Sequence, residues 1–364
     1  MVEWKKLGDI CEVQRGKRLT KNLLDDNAVY PVYHGGLEPL GKYEQYNREA
    51  NTVMVINVGA SAGTVGFSDC RFWSSDGCFC ISHSEQLNNK YLFYYLQTKT
   101  HYLQSQVRHA GIPTLDNPVV EKINLPLLSL SEQERIVGIL DTFTATIDNL
   151  KEQIAQRRKQ YEYYRDQLLD LEGKEGVEMK TIKDVCLKIC SGGTPSTSRK
   201  DYYGGDIPWL RTQEVDWKEI HDTEIKITKE ALANSSAKII PVDCVIVAMY
   251  GATAAKVAIN KIPLSTNQAC CNLEIDSSIA IYKYVYHWLC KEYLKLKAMG
   301  EGSQNNINGQ KVKDFLIPVP SLFEQSRIVS ILDTFEASIQ NLEAQLSQRE
   351  KQYEYYRNKL LTFD

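Results

Sequence analysis

Residues Glu132 to Leu171 read "EQERIVGILDTFTATIDNLKEQIAQRRKQYEYYRDQLLDL", and residues Glu324 to Phe363 read "EQSRIVSILDTFEASIQNLEAQLSQREKQYEYYRNKLLTF". At a constant offset of 192 residues, 26 of the 40 positions are identical. Identity of this extent at one fixed offset is the mark of an internal duplication. One copy lies near the middle of the 364 residues and the other at the end, which indicates two similar halves.

Each copy has the apolar pattern of one long helix. Apolar residues recur at alternating spacings of four and three from Ile136 to Leu171, and again from Ile328 to Phe363. Only Arg157 and Arg349 interrupt this spacing. A sustained heptad pattern predicts a coiled coil, and at 1.5 Å per residue the apolar seam is roughly 54 Å long. Since neither helix can bury its stripe alone, the obvious partner of each copy is the other.

The two arginines favour one orientation of the helix pair. In a parallel pair Arg157 would lie against Arg349 inside the seam, where two like charges are poorly hydrated. An antiparallel intramolecular pair separates them, and it suits a duplicated chain arranged about a pseudo-two-fold axis. The alternative is that each arginine packs its stem in the seam while its head reaches water.

The repeat divides the chain into globule, helix, globule and helix. Short β-branched runs such as "TVMVINV" and "CVIVAMY" alternate with aromatic, helical patterns such as "KYLFYYLQTK", so the globules have a mixed α+β fold class. The predicted segments are a first globular domain at 1–130, a long helix at 131–172, a linker at 173–177, a second globular domain at 178–322 and a second long helix at 323–364.

Composition excludes several classes of protein. Net charge is -3, no apolar run is long enough to cross a bilayer, and the first residues lack the apolar core of a signal peptide. We therefore expect a cytoplasmic protein with no membrane partner. The ten cysteines have neither a disulfide-like framework nor the spacing of zinc ligands, so we expect reduced, mostly buried thiols and no metal site.

A serine motif raises the question of catalysis. Gly59-Ala60-Ser61-Ala62-Gly63 matches G-x-S-x-G, the turn that presents a nucleophilic serine in many hydrolases. At the repeat offset, however, the second copy reads Gly251-Ala252-Thr253-Ala254-Ala255. The serine is replaced by threonine and the last glycine by alanine. Both copies therefore predict a glycine-led turn after a buried strand. No phosphate-binding loop, dinucleotide motif or zinc-protease motif is present in the sequence.

Several loops have the composition of a nucleic-acid interface instead. Glycine and serine let the backbone approach a phosphate, lysine neutralises it, and arginine, asparagine and glutamine match base edges. Any one of these loops could equally be an ordinary solvated turn. The candidate DNA-binding residues are Arg15, Lys17, Arg18, Tyr33, His34, Gly35, Ser61, Arg108, Thr194, Pro195, Ser196, Arg199, Lys200, Arg211, Tyr250, Thr253, Lys256, Ser303, Gln304, Asn305 and Asn306.

The whole chain resembles the specificity subunits of type I restriction-modification systems. The resemblance rests on the duplicated entry into the long helices (126–141 and 318–333), on "GATAAKVAI" followed by "STNQACCNL", and on "GEGSQNNI". The first globule departs from the second by having "RHAGIPTLD" in place of "GEGSQNNIN". That difference fits two recognition domains with different sequence preferences.

The resemblance implies that each globule is a target-recognition domain for one half of a bipartite, asymmetric sequence in double-stranded DNA. The helices would set the half-site separation and dock two methyltransferase subunits, with restriction subunits joining the complex. S-adenosylmethionine would be held by the methyltransferase subunits, and ATP and Mg by the restriction subunits, with no cofactor in this chain. The chain itself would be a non-catalytic recognition subunit.

Two other interpretations stay open at the level of sequence. The chain could be a coiled-coil scaffold that presents two modules for a ligand other than DNA, since its net charge of -3 gives no general attraction to nucleic acid. It could also be a hydrolase that uses Ser61 with one of the histidines that follow it. Salt-dependent binding of duplex DNA separates the first alternative from the specificity subunit.

Overall fold

The computed structural model describes residues 2–301 and 306–363, and the chain forms two compact units. The first unit comprises Met1–Glu152 and Glu343–Asp364, and the second comprises Gln153–Leu342. Each unit thus contains one globular part together with a portion of both long helices.

The first unit is built on a four-stranded antiparallel sheet. Its strand order is β2-β8-β5-β6, and a smaller sheet of order β4-β3-β7 contains a parallel pair, β3 with β7. In β5 every residue of "TVMVI" is buried, as its β-branched composition predicts. The elements are β1 (Glu3–Lys6), β2 (Val13–Arg15), β3 (Tyr30–Tyr33), β4 (Gly41–Tyr43), β5 (Thr52–Ile56), β6 (Val65–Ser68), β7 (Trp73–Ser74), β8 (Cys78–Ile81), α1 (Asn89–Thr98), α2 (Thr100–Ser105), α3 (Asn117–Glu121), β9 (Asn124–Leu127) and the start of α4 (Leu130–Leu168).

The second unit repeats this topology and extends it. Its main sheet has the order β11-β19-β16-β17-β13, in which β13 is an added strand parallel to β17. A smaller sheet, β14-β12-β18-β15, again contains a parallel pair, β12 with β18. The elements are β10 (Glu178–Thr181), β11 (Cys186–Ser191), β12 (Tyr203–Leu210), β13 (Lys218–Ile220), β14 (Lys226–Ile227), α5 (Lys229–Ala233), β15 (Ile239–Ile240), β16 (Val245–Ala248), β17 (Val257–Asn260), β18 (Leu264–Thr266), β19 (Cys270–Ile275), α6 (Tyr282–Lys291), α7 (Tyr293–Ala298), α8 (Gly309–Asp314), β20 (Leu316–Val319) and α9 (Leu322–Leu361).

The predicted mixed α+β class is confirmed, and so is the antiparallel orientation of the helices. In the first unit the rings of Phe143 and Tyr356 stack at 5.3 Å, and in the second unit Tyr164 and Phe335 stack at 5.4 Å. Within each unit, therefore, the later part of one long helix lies beside the earlier part of the other. None of the helices among the described residues combines the length and apolar character that crossing a bilayer requires.

The seam arginines behave as the antiparallel arrangement requires. Arg157 belongs to the second unit, where its guanidinium lies 5.9 Å from the ring centroid of Phe335. Arg349 belongs to the first unit and donates to Gln352 on its own helix at 2.9 Å. Each charge thus has its own polar or aromatic neighbour, which removes the like-charge contact expected of a parallel pair.

A buried glutamine fixes the start of each long helix to its globule. The side chain of Gln133 is 0% exposed, donates to the carbonyls of Gln86 (3.0 Å) and Leu128 (2.9 Å), and accepts from the amide of Asn88 (2.8 Å). Gln325 repeats this arrangement with Ile279, Pro320 and Ile281. The duplicated "EQ" dipeptide therefore has a structural cause, because one amide side chain satisfies three backbone groups next to the helix start.

Candidate nucleic-acid interface

The same backbone hydrogen bonds support corresponding loops in each of the two units. We call the side of a unit that carries these loops its loop edge. The amide of Gly16 donates to Cys78 in the first unit, and that of Gly192 donates to Cys270 in the second, at 3.1 and 3.3 Å. The next amides, of Lys17 and Gly193, donate to the carbonyls of Ser74 and Thr266 at 2.9 and 2.8 Å. These matched bonds establish which positions of the two units correspond.

The glycine-led turn that contains Ser61 is also the same in both units. Gly59 and Gly251 have φ angles of 89° and 80°, and the last positions of the turn, Gly63 and Ala255, have 88° and 70°. A left-handed conformation is readily adopted by glycine and rarely by alanine, so glycine at the head of the turn is a backbone requirement. The G-x-S-x-G match is thereby explained without a nucleophile.

The hydroxyls of this turn differ in their contacts. Thr253 donates to the backbone carbonyl of Thr212 at 2.8 Å, which holds one loop against the next. Ser61 is half-buried, and no described residue accepts a hydrogen bond from its hydroxyl. His83 is one of the histidines that could have acted as a base for Ser61. Its Nε2 instead lies 3.1 Å from the hydroxyl of Thr52.

In the first unit several predicted residues surround one cavity. It has a volume of about 430 Å³ and gathers Arg15, Arg18 and His34. Arg15 donates through Nε to the backbone carbonyl of Asp76 at 3.0 Å, so its position is fixed by the turn between β7 and β8. The full lining is Arg15, Arg18, Leu19, Thr20, Lys21, His34, Leu40, Val58 and Asp76.

Three further predicted residues of the first unit are neighbours in sequence of the residues that line this cavity. The carbonyl of Lys17 accepts from the indole of Trp73 at 2.8 Å, while its side chain is exposed. Tyr33 packs edge-on against Phe72, and burial raises the pKa of its phenol. Gly35 has a φ of 36° and lies close to Val58, since a Cβ there would be 3.2 Å from the Val58 carbonyl.

In the second unit the corresponding loop begins at Gly193. Thr194 donates to the side-chain oxygen of Gln268, and Ser196 is exposed beside Ser198. Pro195 is buried, and its carbonyl accepts from the hydroxyl of Tyr203 at 2.8 Å. Pro195 therefore holds the loop in place and presents no side-chain surface, unlike its exposed neighbours.

Most of the predicted cations of the second unit are ion-paired at its surface. Arg199 contacts Asp201 and Glu230, and its hydrogen bonds to Asp201 raise the pKa of the guanidinium. Arg211 donates to Glu224 at 2.6 Å. Lys256 donates to Asp216 at 2.6 Å and lies over an indole ring. A surface ion pair of this kind contributes little to stability in water, and a phosphate can replace its carboxylate. The pairs therefore keep these cationic side chains at the surface and leave them available to bind phosphates.

Most of the remaining predicted residues lie at the glycine-led turn and at the loop that packs on it. Tyr250 is exposed at the turn, and Asn306 accepts from the amide of Gly251 at 3.4 Å. Lys200 is exposed next to Arg199, in the loop that begins at Gly193. In the first unit the matching loop carries Arg108, which donates to Asp116 at 2.7 Å. The predicted residues Ser303, Gln304 and Asn305 lie outside the described residues.

Two further side chains at this edge could not be predicted from the sequence. Asp76 lies in the cavity of the first unit, and Gln268 contacts Thr194 in the second. Each follows a short parallel strand and belongs to a turn whose flanking residues are largely buried. Only the fold places these single polar side chains beside loops that are distant in sequence.

Most of the cysteines are buried thiols. All ten are free; Cys70 is exposed, and Cys186 and Cys190 are half-buried. Burial raises the pKa of Cys186, Cys244 and Cys271 to about 12 in each case, so these thiols are protonated and poor nucleophiles at neutral pH.

One group of potential metal ligands occurs among the described residues, away from these loops. His287, Asp333 and Glu336 bring one nitrogen and two carboxylate oxygens within 4.8 Å of one another. The ammonium of Lys283 already lies 2.8 Å from Asp333, and Tyr161 donates to Glu336 at 3.3 Å. Since a cation and a hydroxyl already satisfy the carboxylates, we assign this cluster to the contact between α6 and the long helices.

Comparison with known proteins agrees with this duplicated architecture. The family model for the type I restriction modification DNA specificity domain matches residues 1–157 and 174–350. The EcoR124I/EcoR124II specificity subunit of Escherichia coli is 35% identical over all of this chain and 94% of its own length. A putative specificity subunit of Haemophilus influenzae is 27% identical over all of this chain and 96% of its own length.

Solved structures show the same fold. The S subunit of a type I restriction-modification system from M. genitalium aligns with a TM-score of 0.71 at 17% identity, covering 100% of this chain and 97% of that one. A chain from a study of complex assembly in the type I system aligns with a TM-score of 0.61 at 18% identity, covering 99% and 96%. Two related units with matched loop scaffolds define a duplicated recognition protein. The chain belongs to the type I restriction-modification DNA specificity family.

Proposed function

We propose that this specificity subunit reads a bipartite, asymmetric DNA sequence with the loop edges of its two units, one half-site with each. The proposal rests on one observation: the loops of the two units have the same backbone hydrogen bonds but different side chains. Arg15 corresponds to Ser191 by strand pairing, and Lys17 corresponds to Gly193 by the matched amide hydrogen bonds. Because base readout depends on the side chains that reach the groove, two such surfaces select different sequences.

The long helices supply the surface on which we place the methyltransferase subunits. In the first unit a groove of about 490 Å³ lies between them, with the stacked rings of Phe143 and Tyr356 among its walls. Apolar and aromatic walls with a basic rim are typical of a protein interface. The residues lining this groove are Arg135, Ile139, Phe143, Arg349, Gln352, Tyr356, Lys359 and Leu360.

The duplication preserves this groove more strictly than it preserves the loops. At the offset of 192 residues, only Lys359 changes, to Gln167. Identical surfaces bind identical partners, so the pattern favours two copies of one subunit. The second set of residues is Arg327, Ile331, Phe335, Arg157, Gln160, Tyr164, Gln167 and Leu168.

In this proposal the chemistry resides in the partners. Methyltransferase subunits would hold S-adenosylmethionine and methylate adenine, and restriction subunits would hold ATP and Mg. This chain would contribute recognition and positioning without catalysing a step. The length of the helices would set the unread gap between the half-sites.

The test is DNA binding by the chain in complex with its methyltransferase subunits. We expect binding to a duplex to weaken steeply as salt rises, because lysine and arginine displace counterions from the phosphates. Replacing Arg18, which is exposed at the cavity of the first unit, with alanine is expected to reduce the slope of log K against log salt by about 1. Binding that is absent, or insensitive to salt, would instead support a scaffold for another ligand.

A further inference from the structure

The turn that follows the short parallel strand occupies the same place in both units. The amide of Ser75 donates to Tyr33 at 2.9 Å, and the amide of Asn267 donates to Leu210 at 2.9 Å. The next residue in each turn is Asp76 in the first unit and Gln268 in the second. By the same correspondence, His34 in the first unit matches Arg211 in the second.

Each turn directs one polar side chain towards the loop edge. Ser75 is buried, and Gly77 is closed in, because a Cβ there would lie 2.8 Å from the amide nitrogen of Gly35. Asp76 between them keeps 32% of its side chain exposed. In the second unit Ala269 is buried while Gln268 is exposed. The position is therefore built to present one side chain.

The carboxylate of Asp76 lies in a cation-rich cavity. Its Oδ1 accepts from the hydroxyl of Ser75 at 3.1 Å and lies 3.4 Å from Nδ1 of His34. Among the described residues no guanidinium pairs with this carboxylate, and Arg15 donates to the backbone carbonyl of the same residue instead. Among the described residues nothing donates to Oδ2, so the carboxylate retains acceptor capacity towards the cavity.

A carboxylate at a DNA-binding edge has one favourable kind of partner. It repels phosphates, so it contributes nothing to contacts with the DNA backbone. In the major groove it accepts from an exocyclic amino group, that of cytosine N4 or adenine N6. Gln268 differs in offering both a donor and an acceptor, the pair that matches N7 and N6 of adenine.

We propose that Asp76 and Gln268 are equivalent specificity-determining residues, each of which reads the amino-bearing edge of one base in the half-site of its own unit. The inference rests on the proposed function, and it adds the particular position that distinguishes the two half-sites. Asp76 selects a base that donates an amino group, and Gln268 selects adenine.

The test is sequencing of methylated adenines in cells that express the chain with its methyltransferase subunits. We expect Asp76→Asn to change the preference at one base pair of one half-site by about tenfold, the size of a single base contact. Gln268→Glu should change one base pair of the other half-site. The control Asp69→Asn alters an exposed carboxylate outside the cavity and should leave the motif unchanged.

The outcomes separate this inference from the function on which it rests. If the unaltered chain directs no sequence-specific methylation, the proposed function fails. If methylation continues with an unchanged motif in Asp76→Asn and Gln268→Glu, only the inference fails. If Asp76→Asn abolishes methylation, recovery of the original motif by Asp76→Glu, which restores a carboxylate, supports the inference, and failure to recover it contradicts the inference.

Discussion

Replacing Gln133 with leucine tests how the globule of the first unit is joined to its long helix. The substitution keeps the approximate volume of a fully buried side chain and removes three hydrogen bonds, to Gln86, Leu128 and Asn88. At about 1 kcal/mol for each bond, the expected loss of unfolding free energy is about 3 kcal/mol. The cost is large for one side chain because the three backbone groups are left without partners.

Hydrogen exchange measured by mass spectrometry resolves this loss for each unit. A loss of about 3 kcal/mol accelerates exchange more than about a hundredfold at amides that open only with the whole unit. Strand β5 should show this acceleration, while strand β16 of the second unit keeps its rate. Gln325→Leu should give the reverse pattern, and Glu134→Ala, next to Gln133 but exposed, should change neither. An acceleration below about fivefold in β5, or an equal effect in both units, would refute the role assigned to Gln133.

Two further predictions concern the long helices. Burial raises the pKa of Glu336, so the folded second unit binds this proton more tightly than the unfolded chain, and stability falls as pH rises above the ordinary value of 4.5. Glu336→Gln should therefore stabilise this unit at pH 7.5 and lose its advantage below pH ~4.5, as followed by thermal unfolding; an equal gain at all pH values would contradict this assignment. In native mass spectrometry, Tyr356→Ala or Tyr164→Ala should each leave one bound methyltransferase subunit in place of two, since loss of a central aromatic contact costs at least about 2 kcal/mol, or roughly thirtyfold in affinity. Tyr102→Ala, an exposed tyrosine outside the groove, should leave two bound subunits, and retention of two by the groove variants would place the docking surface elsewhere.

The long helices and the internal repeat could be predicted from local sequence patterns. A heptad pattern specifies which face of each helix is apolar, and the position of Arg157 and Arg349 in that pattern specifies an antiparallel pair. The glycine-led turn could also be predicted. Comparison of Ser61 with Thr253 shows that the repeated feature is a backbone conformation and not a catalytic serine.

The polar edge of each unit depends on contacts that no local pattern encodes. Asp76 reaches the cavity only because β7 pairs in parallel with β3, which is more than 30 residues away. Pro195 has the composition of a loop residue but is buried, since Tyr203 binds its carbonyl. Gln133 lies in a helix whose pattern marks it only as polar, and its role requires the backbone of two separate loops.

Sequencing of methylated adenines in cells with and without this gene tests whether each unit reads one half of a split DNA target. We expect a motif that appears only with the gene and consists of two different specified halves separated by an unread gap. A motif that does not depend on the gene, one with a single uninterrupted half, or a perfect palindrome would contradict this expectation.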